Sequence, residues 1–152
     1  MAFTYASVLA ALKAHAVAAG GALDVPILDV AVAHPAPKGR CIRIFYVGET
    51  EPEHMGGNRT LNSQIIGERI GIIAWFPVSD LSETATEAIE AELYDLKHEL
   101  RTRILGDSQL GGMSTDLELL QFDTDFVLAG NVRYRTLEAE VVTDYAEYTI
   151  AP

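Results

Sequence analysis

Apolar residues recur along this chain in two rhythms, and the switches between them mark out its elements. Tyr5, Val8, Leu9, Leu12 and Ala16 recur at helical spacing, which predicts a helix with one apolar face, capped by Thr4 and stopped by Gly20 and Gly21. Pro26, Pro35 and Pro37 then break the pattern, so 27–32 is expected to be an extended connection. Segment 41–47 (CIRIFYV) has the β-branched and aromatic content of a strand. Segment 64–76 predicts a longer one, with Ile66, Ile70, Ile72, Ala74 and Phe76 on one face. The polar segment 48–64 (GETEPEHMGGNRTLNSQ) joins them, most simply as the extended loop at the tip of an antiparallel hairpin.

After Pro77 the helical rhythm returns in its clearest form, with Ile89, Leu93, Leu96, Leu100 and Ile104 spaced by four, three, four and four. Asp80 or Ser82 can cap this helix and Gly106 can stop it. Its acids gather at the start and Lys97, Arg101 and Arg103 at the end, which complements the helix dipole. Strand-like composition resumes over 117–128 and 132–150, with a turn candidate at Gly130-Asn131. In the last strand Leu137, Ala139, Val141 and Tyr145 share one face, while Val132 and Tyr134 lie on the other. That conflict predicts a bulge or a strand buried on both faces. The order helix, hairpin, helix, hairpin predicts one α+β domain over 1–152: two layers, with an antiparallel sheet of about four strands packed against the N-terminal helix and one long central helix.

Composition narrows the function classes. At 152 residues and 49% hydrophobic content, one domain can bury a sizeable core. The single cysteine, Cys41, excludes an internal disulfide and reads as a half-buried strand residue, which points to assembly inside a cell. The Ala-rich start lacks a basic segment and carries Lys13 and His15, unlike a secretory signal. No stretch reaches the ~20 apolar residues of a membrane span, so a soluble protein without a membrane partner is expected. A net charge of −11 repels phosphate backbones. It disfavours tight binding to nucleic acid and suits either plain solubility or a surface that nucleic acid must pass without sticking.

No nucleophile–base set, paired-carboxylate motif, H-E-x-x-H, Walker loop or G-x-G-x-x-G is present, so no enzymatic role and no cofactor is expected. Glu49, Glu51, Glu53, His54, Met55 and Arg59 crowd into the 48–64 loop. A Gly-rich loop seldom supplies the convergent, supported geometry of a metal site, so it reads as a solvated acidic segment. Trp75 suits a core or an interface equally.

The ordered set resembles the tail terminator, or tail completion, proteins of long-tailed bacteriophages and gene-transfer agents. It comprises an N-terminal helix, HPAP leading into CIRIFYVGET, a loop ending in GGNRTLNSQ, the strand GERIGIIAWFP, the helix ETATEAIEAELYDLKHELRTRIL and a hairpin ending in VRYRTLEAEV. The resemblance covers nearly the whole chain. It implies a virion protein, assembled in the host cytoplasm into a ring, typically a hexamer, at the head-proximal end of the tail. Such a ring stops growth of the tube of major tail tube protein and offers the docking face for the head connector. DNA then passes through its lumen without specific binding. The resemblance also implies that the 48–64 loop reaches toward tube or lumen, with Glu49, Glu51, Glu53, His54, Met55 and Arg59 as candidate contacts. Arg133, Arg135, Tyr145 and Tyr148 are candidate inter-subunit contacts, although Arg133 and Arg135 could equally face solvent. Other readings are another head-tail connector or neck protein, a small cytosolic metal-binding or enzymatic domain using His54, and a dimeric interaction domain.

Overall fold

The computed structural model describes residues 5–50, 53–54, 62–107, 116–119 and 121–150, with side chains left out for Tyr5, 53–54, 62–66, Asp116 and 144–150. The chain is α+β, in the order α1 (Tyr5–Gly21), β1 (Asp29–Val32), β2 (Cys41–Glu49), β3 (Glu53–His54), β4 (Asn62–Pro77), α2 (Glu83–Leu105), β5 (Asp116–Leu119), β6 (Asp123–Ala129) and β7 (Val132–Ile150). Thr4, the expected cap of α1, lies outside the described residues.

Six strands of four residues or more, with the two-residue β3, form one sheet. Its path is β1-β2-β4-β7-β5, with β3 following β2 along the edge of β4 and β6 sharing the edge of β7 with β5. Both expected hairpins form. β2 runs antiparallel to β4, and β6 to β7 through a two-residue turn in which Gly130 has φ 62°, a left-handed conformation that glycine adopts without strain.

The sheet is mixed, which corrects the expectation of about four antiparallel strands. Segment 27–32 supplies β1, paired parallel to β2 from Asp29–Cys41 to Val32–Ile44. A strand of only four residues lets the eight-residue segment 33–40 return the chain to the start of β2 without a crossover helix. The predicted strand 117–128 is also broken in two. Between the Leu119–Val141 and Asp123–Glu138 pairs, three residues on one side meet two on the other, so the faces swap at the break. In β7, Ile66 pairs with Ala146 and Gly67 with Asp144, which leaves Tyr145 as an extra residue outside the ladder. The bulge expected in this strand therefore falls at Tyr145, whose side chain lies outside the described ones.

Both helices pack on one face of the sheet. Val8, Leu12, Ala16 and Ala19 of α1 meet Leu93, Leu96, Leu100 and Ile104 of α2 in a cluster completed by Ile42, Ile44, Ile70, Ile72, Ala74, Phe76, Leu137 and Val141. Ser82 caps α2, its Oγ accepting the Ala85 N–H at 3.3 Å, while Asp80 accepts the Ser82 N–H at 2.9 Å. Gly106 ends the helix as expected, but in a right-handed conformation, φ −69°. His15 Nε2 lies 2.9 Å from Asp107 Oδ2, joining α1 to the end of α2.

A smaller cluster of Cys41, Ile73, Trp75 and Tyr134 occupies the other face, so the central strands are buried on both sides. Trp75 donates its Nε1–H to the Pro35 carbonyl at 3.0 Å and meets Tyr134 edge to face at 5.3 Å, which places it in this satellite core. Since Leu96 is fully buried between helices and sheet, Leu96→Ala should lower unfolding free energy by about 2–5 kcal/mol. Urea denaturation measures this, and a loss below about 1 kcal/mol would contradict the packing described.

Candidate functional site

Strand alternation sorts the charges. Opposite residues of a ladder share a face, so the face away from the helices carries Asp29 of β1, Glu118 of β5, Asp123 and Asp125 of β6, and Glu138 and Glu140 of β7. Among the described strand residues it carries two cations, Arg43 and Arg69, each held by an acid of the same face. Arg69 makes a two-oxygen contact with Glu140 at 2.6 and 3.0 Å. Arg43 is buried, and its Nη2 donates to Asp29 Oδ2 at 3.0 Å. Glu118, Asp123, Asp125 and Glu138 are exposed and give this face a net negative charge. A groove of about 620 Å³ runs across it between Phe45, Val47 and Arg69 on one side and Asp123, Glu138 and Glu140 on the other.

The Arg43 hydrogen bond holds the Asp29 carboxyl below its ordinary value. Desolvation pulls the other way, and the charges of Arg43 and Lys38 add to the lowering. Burial pushes the Cys41 thiol up, keeping it protonated and unreactive.

The described parts of the segment expected as a free loop largely continue the sheet. Gly48 and Glu49 finish β2, Glu53–His54 form β3 against Gln64 and Ile65, and β4 begins at Asn62. Beyond Gly67 a narrow ribbon of β3, β4 and the end of β7 thus extends from the helix-backed sheet. Bulges flank its base: Val47 is extra between the Tyr46–Ile70 and Gly48–Arg69 pairs, and Tyr145 is extra on the opposite side. Thr50 fastens the same level, its N–H donating to the Gly67 carbonyl at 2.8 Å and its Oγ1 accepting the Gly67 N–H at 3.2 Å. Glu49 is exposed at this junction. Glu51, Met55 and Arg59 lie outside the described residues, as do the side chains of Glu53, His54, Tyr145 and Tyr148; Tyr148 pairs through its backbone with Gln64.

Arg135 is not a free contact. It donates to Glu90 of α2 at 2.7 and 3.3 Å and lies 4.3 Å above the Phe126 ring, so it clamps the sheet to a helix of the same chain. Arg133 is exposed and borders an apolar groove of about 420 Å³ that includes Leu81, Phe126, Leu128 and Tyr134. Phe126 and Leu128 are both 68% exposed and Leu81 66%. At the opposite edge of the sheet Leu28 is 88% exposed, with Val25 and Val32 beside it in sequence and also exposed. The sequence reading missed these residues, although the run Phe126-Val127-Leu128 held the signal. Three successive apolar residues in a strand address both faces, and an edge strand covers only one well.

Comparison of the sequence with protein-family models and with curated proteins returns no match. Among the described residues no three His, Cys, Asp or Glu side chains converge as a metal site, and no helix is long and apolar enough to cross a membrane.

The Asp29–Arg43 pair carries a defined pH dependence. A depressed folded-state value means that the pair stabilises the fold above the unfolded carboxyl's value, about 4, and that this contribution is lost as pH falls through the lower folded-state value. The difference in urea midpoint between wild type and Asp29→Asn should therefore be present at pH 7 and vanish in stronger acid. A gap that stays constant across that range would refute the assignment.

Proposed function

We propose that the chain is a ring-forming tail terminator of a long-tailed bacteriophage or gene-transfer agent. In this reading it caps the head-proximal end of the tail tube, stops addition of tube subunits and presents the joining surface for the head connector. The observation that carries the reading is the open face of the sheet, where six carboxylates stand against two arginines that are already paired. Lining a bore, such a face repels phosphate and lets DNA slide through without being held. The order of two helices and two hairpins, which carried the resemblance in the sequence, supports the same reading. So does the ribbon of β3, β4 and β7, which carries part of the 48–64 segment past the bulges.

Capping is association rather than turnover, so the tests are of mass and length. The purified protein should form a closed ring, alone or on contact with tail tubes, and tubes polymerised with it should stop short of those grown without it. A strict monomer by mass measurement, together with tubes that lengthen unchecked, would overturn the proposal. Reversing charge on the open face with Glu118→Lys, Asp123→Lys and Glu138→Lys should leave the ring intact but make it retain DNA in a gel-shift assay at low salt. A triple variant as indifferent to DNA as wild type would remove the open face from the lumen.

A further inference from the structure

The two edges of the sheet carry unlike apolar features that complement each other. At the β6 edge, Phe126 and Leu128, with Leu81 from the segment before α2, line the 420 Å³ groove bordered by Arg133. At the β1 edge the chain presents a protrusion: Leu28, the most exposed of the large hydrophobic side chains described, follows exposed Val25, with the exposed acid Asp24 beside it. Along the sheet path the edges are separated by four strand spacings, about 19 Å, so one molecule cannot satisfy its own groove with its own protrusion.

We propose that Leu28 and Val25 of one copy seat in the Leu81–Phe126–Leu128 groove of a second copy, with Asp24 of the first pairing with Arg133 of the second. The contact is heterologous. One surface meets a different surface, so each added copy again exposes a groove and a protrusion, and growth ends only by closing a ring. Charge matches across the contact, with an acid beside the protrusion and a cation beside the groove.

The seam joins side chains rather than extending the sheet. The Phe126 N–H is already taken by Asp125 Oδ1 at 2.8 Å, and the carboxylates of Asp123 and Asp125 discourage a foreign strand from pairing along β6. Phe126 is further steadied by the Arg135 guanidinium above its ring, which is tied to Glu90, so this wall of the groove is held before a partner arrives. The proposal deepens the ring reading given above and rests on it.

Full-length wild type, Leu28→Asp and Phe126→Asp are compared by mass photometry, with urea midpoints confirming that each variant folds. Both variants should lose the ring and run as monomers. Asp24→Arg and Arg133→Asp should each reduce the ring fraction, and the double variant should recover it. In an independent measurement, a chain carrying Leu28→Cys and Leu128→Cys should give a ladder of disulfide-linked multimers on oxidation, since the native Cys41 is buried. Rings that persist in both Asp variants, or the absence of a ladder, would overturn this contact while leaving the terminator reading in place. A wild-type chain that stays monomeric both alone and on tail tubes would overturn both.

Discussion

The ladder between β4 and β7 is the constraint on which the rest of the structure depends. All but one of the nineteen residues of β7 lie along or just beyond it, and every residue of β4 from Asn62 to Pro77 has a partner there. Because side chains alternate, this one register decides what is core and what is surface. Ile70, Ile72, Ala74 and Phe76 turn toward the helices with Leu137, Ala139 and Val141, while Arg69, Ile73 and Trp75 turn away with Glu138 and Glu140. A slip of one residue would send carboxylates under the helices and isoleucines into water, so burial enforces the register. Close packing adds a second lock. The Phe45 ring lies over Gly71, where a Cβ would come within 2.5 Å of it, so the glycine gives the ring its seat in the middle of the sheet.

That register explains why the two faces differ so much in chemistry. On the helix side the alternation delivers mainly aliphatic residues to α1 and α2, and two charged clamps hold α2 at its margins, Arg135–Glu90 from β7 and Arg40–Glu92 from the residue before β2. On the other side the aromatic cluster around Trp75 covers one end, closed by the carbonyl of Pro35, and carboxylates occupy the rest. A second layer of helices could not cover those acids without desolvating them, and each arginine present is already committed. The face is therefore open for a physical reason.

Features set by local spacing were legible in the sequence. The heptad-like stripe of α2, its Ser82 cap and the second hairpin with its Gly130 turn follow from residues within a few positions of one another, and the structure has them. Features set by distant partners were not. DVAV becomes a strand only because β2 is there to pair with it, and no periodicity in four residues announces that. Arg135 looks like a free surface cation until Glu90, forty-five positions earlier, is brought beside it. Counting in twos cannot place the bulge at Tyr145, because the extra residue is defined only by the pairs Gly67–Asp144 and Ile66–Ala146 on either side of it. The acid-rich segment 48–64 read as loop because its composition is polar, yet the ladder runs on into it at Glu53–His54, since backbone pairing costs a polar side chain little at a sheet edge.

The edges complete the picture. A sheet with two free edges invites indiscriminate pairing, and this one blunts both by different means: β1 is four residues long, and β6 carries Asp123 and Asp125, the latter occupying the Phe126 N–H with its own carboxylate. Protection of the backbone is thus separated from exposure of the side chains, because Leu28 at one edge and Phe126 and Leu128 at the other remain in water. Selection against aggregation alone would have removed those apolar groups along with the open hydrogen bonds. What remains exposed at the two edges differs in its surroundings, with the acid Asp24 near Leu28 at one and the cation Arg133 beside Phe126 and Leu128 at the other.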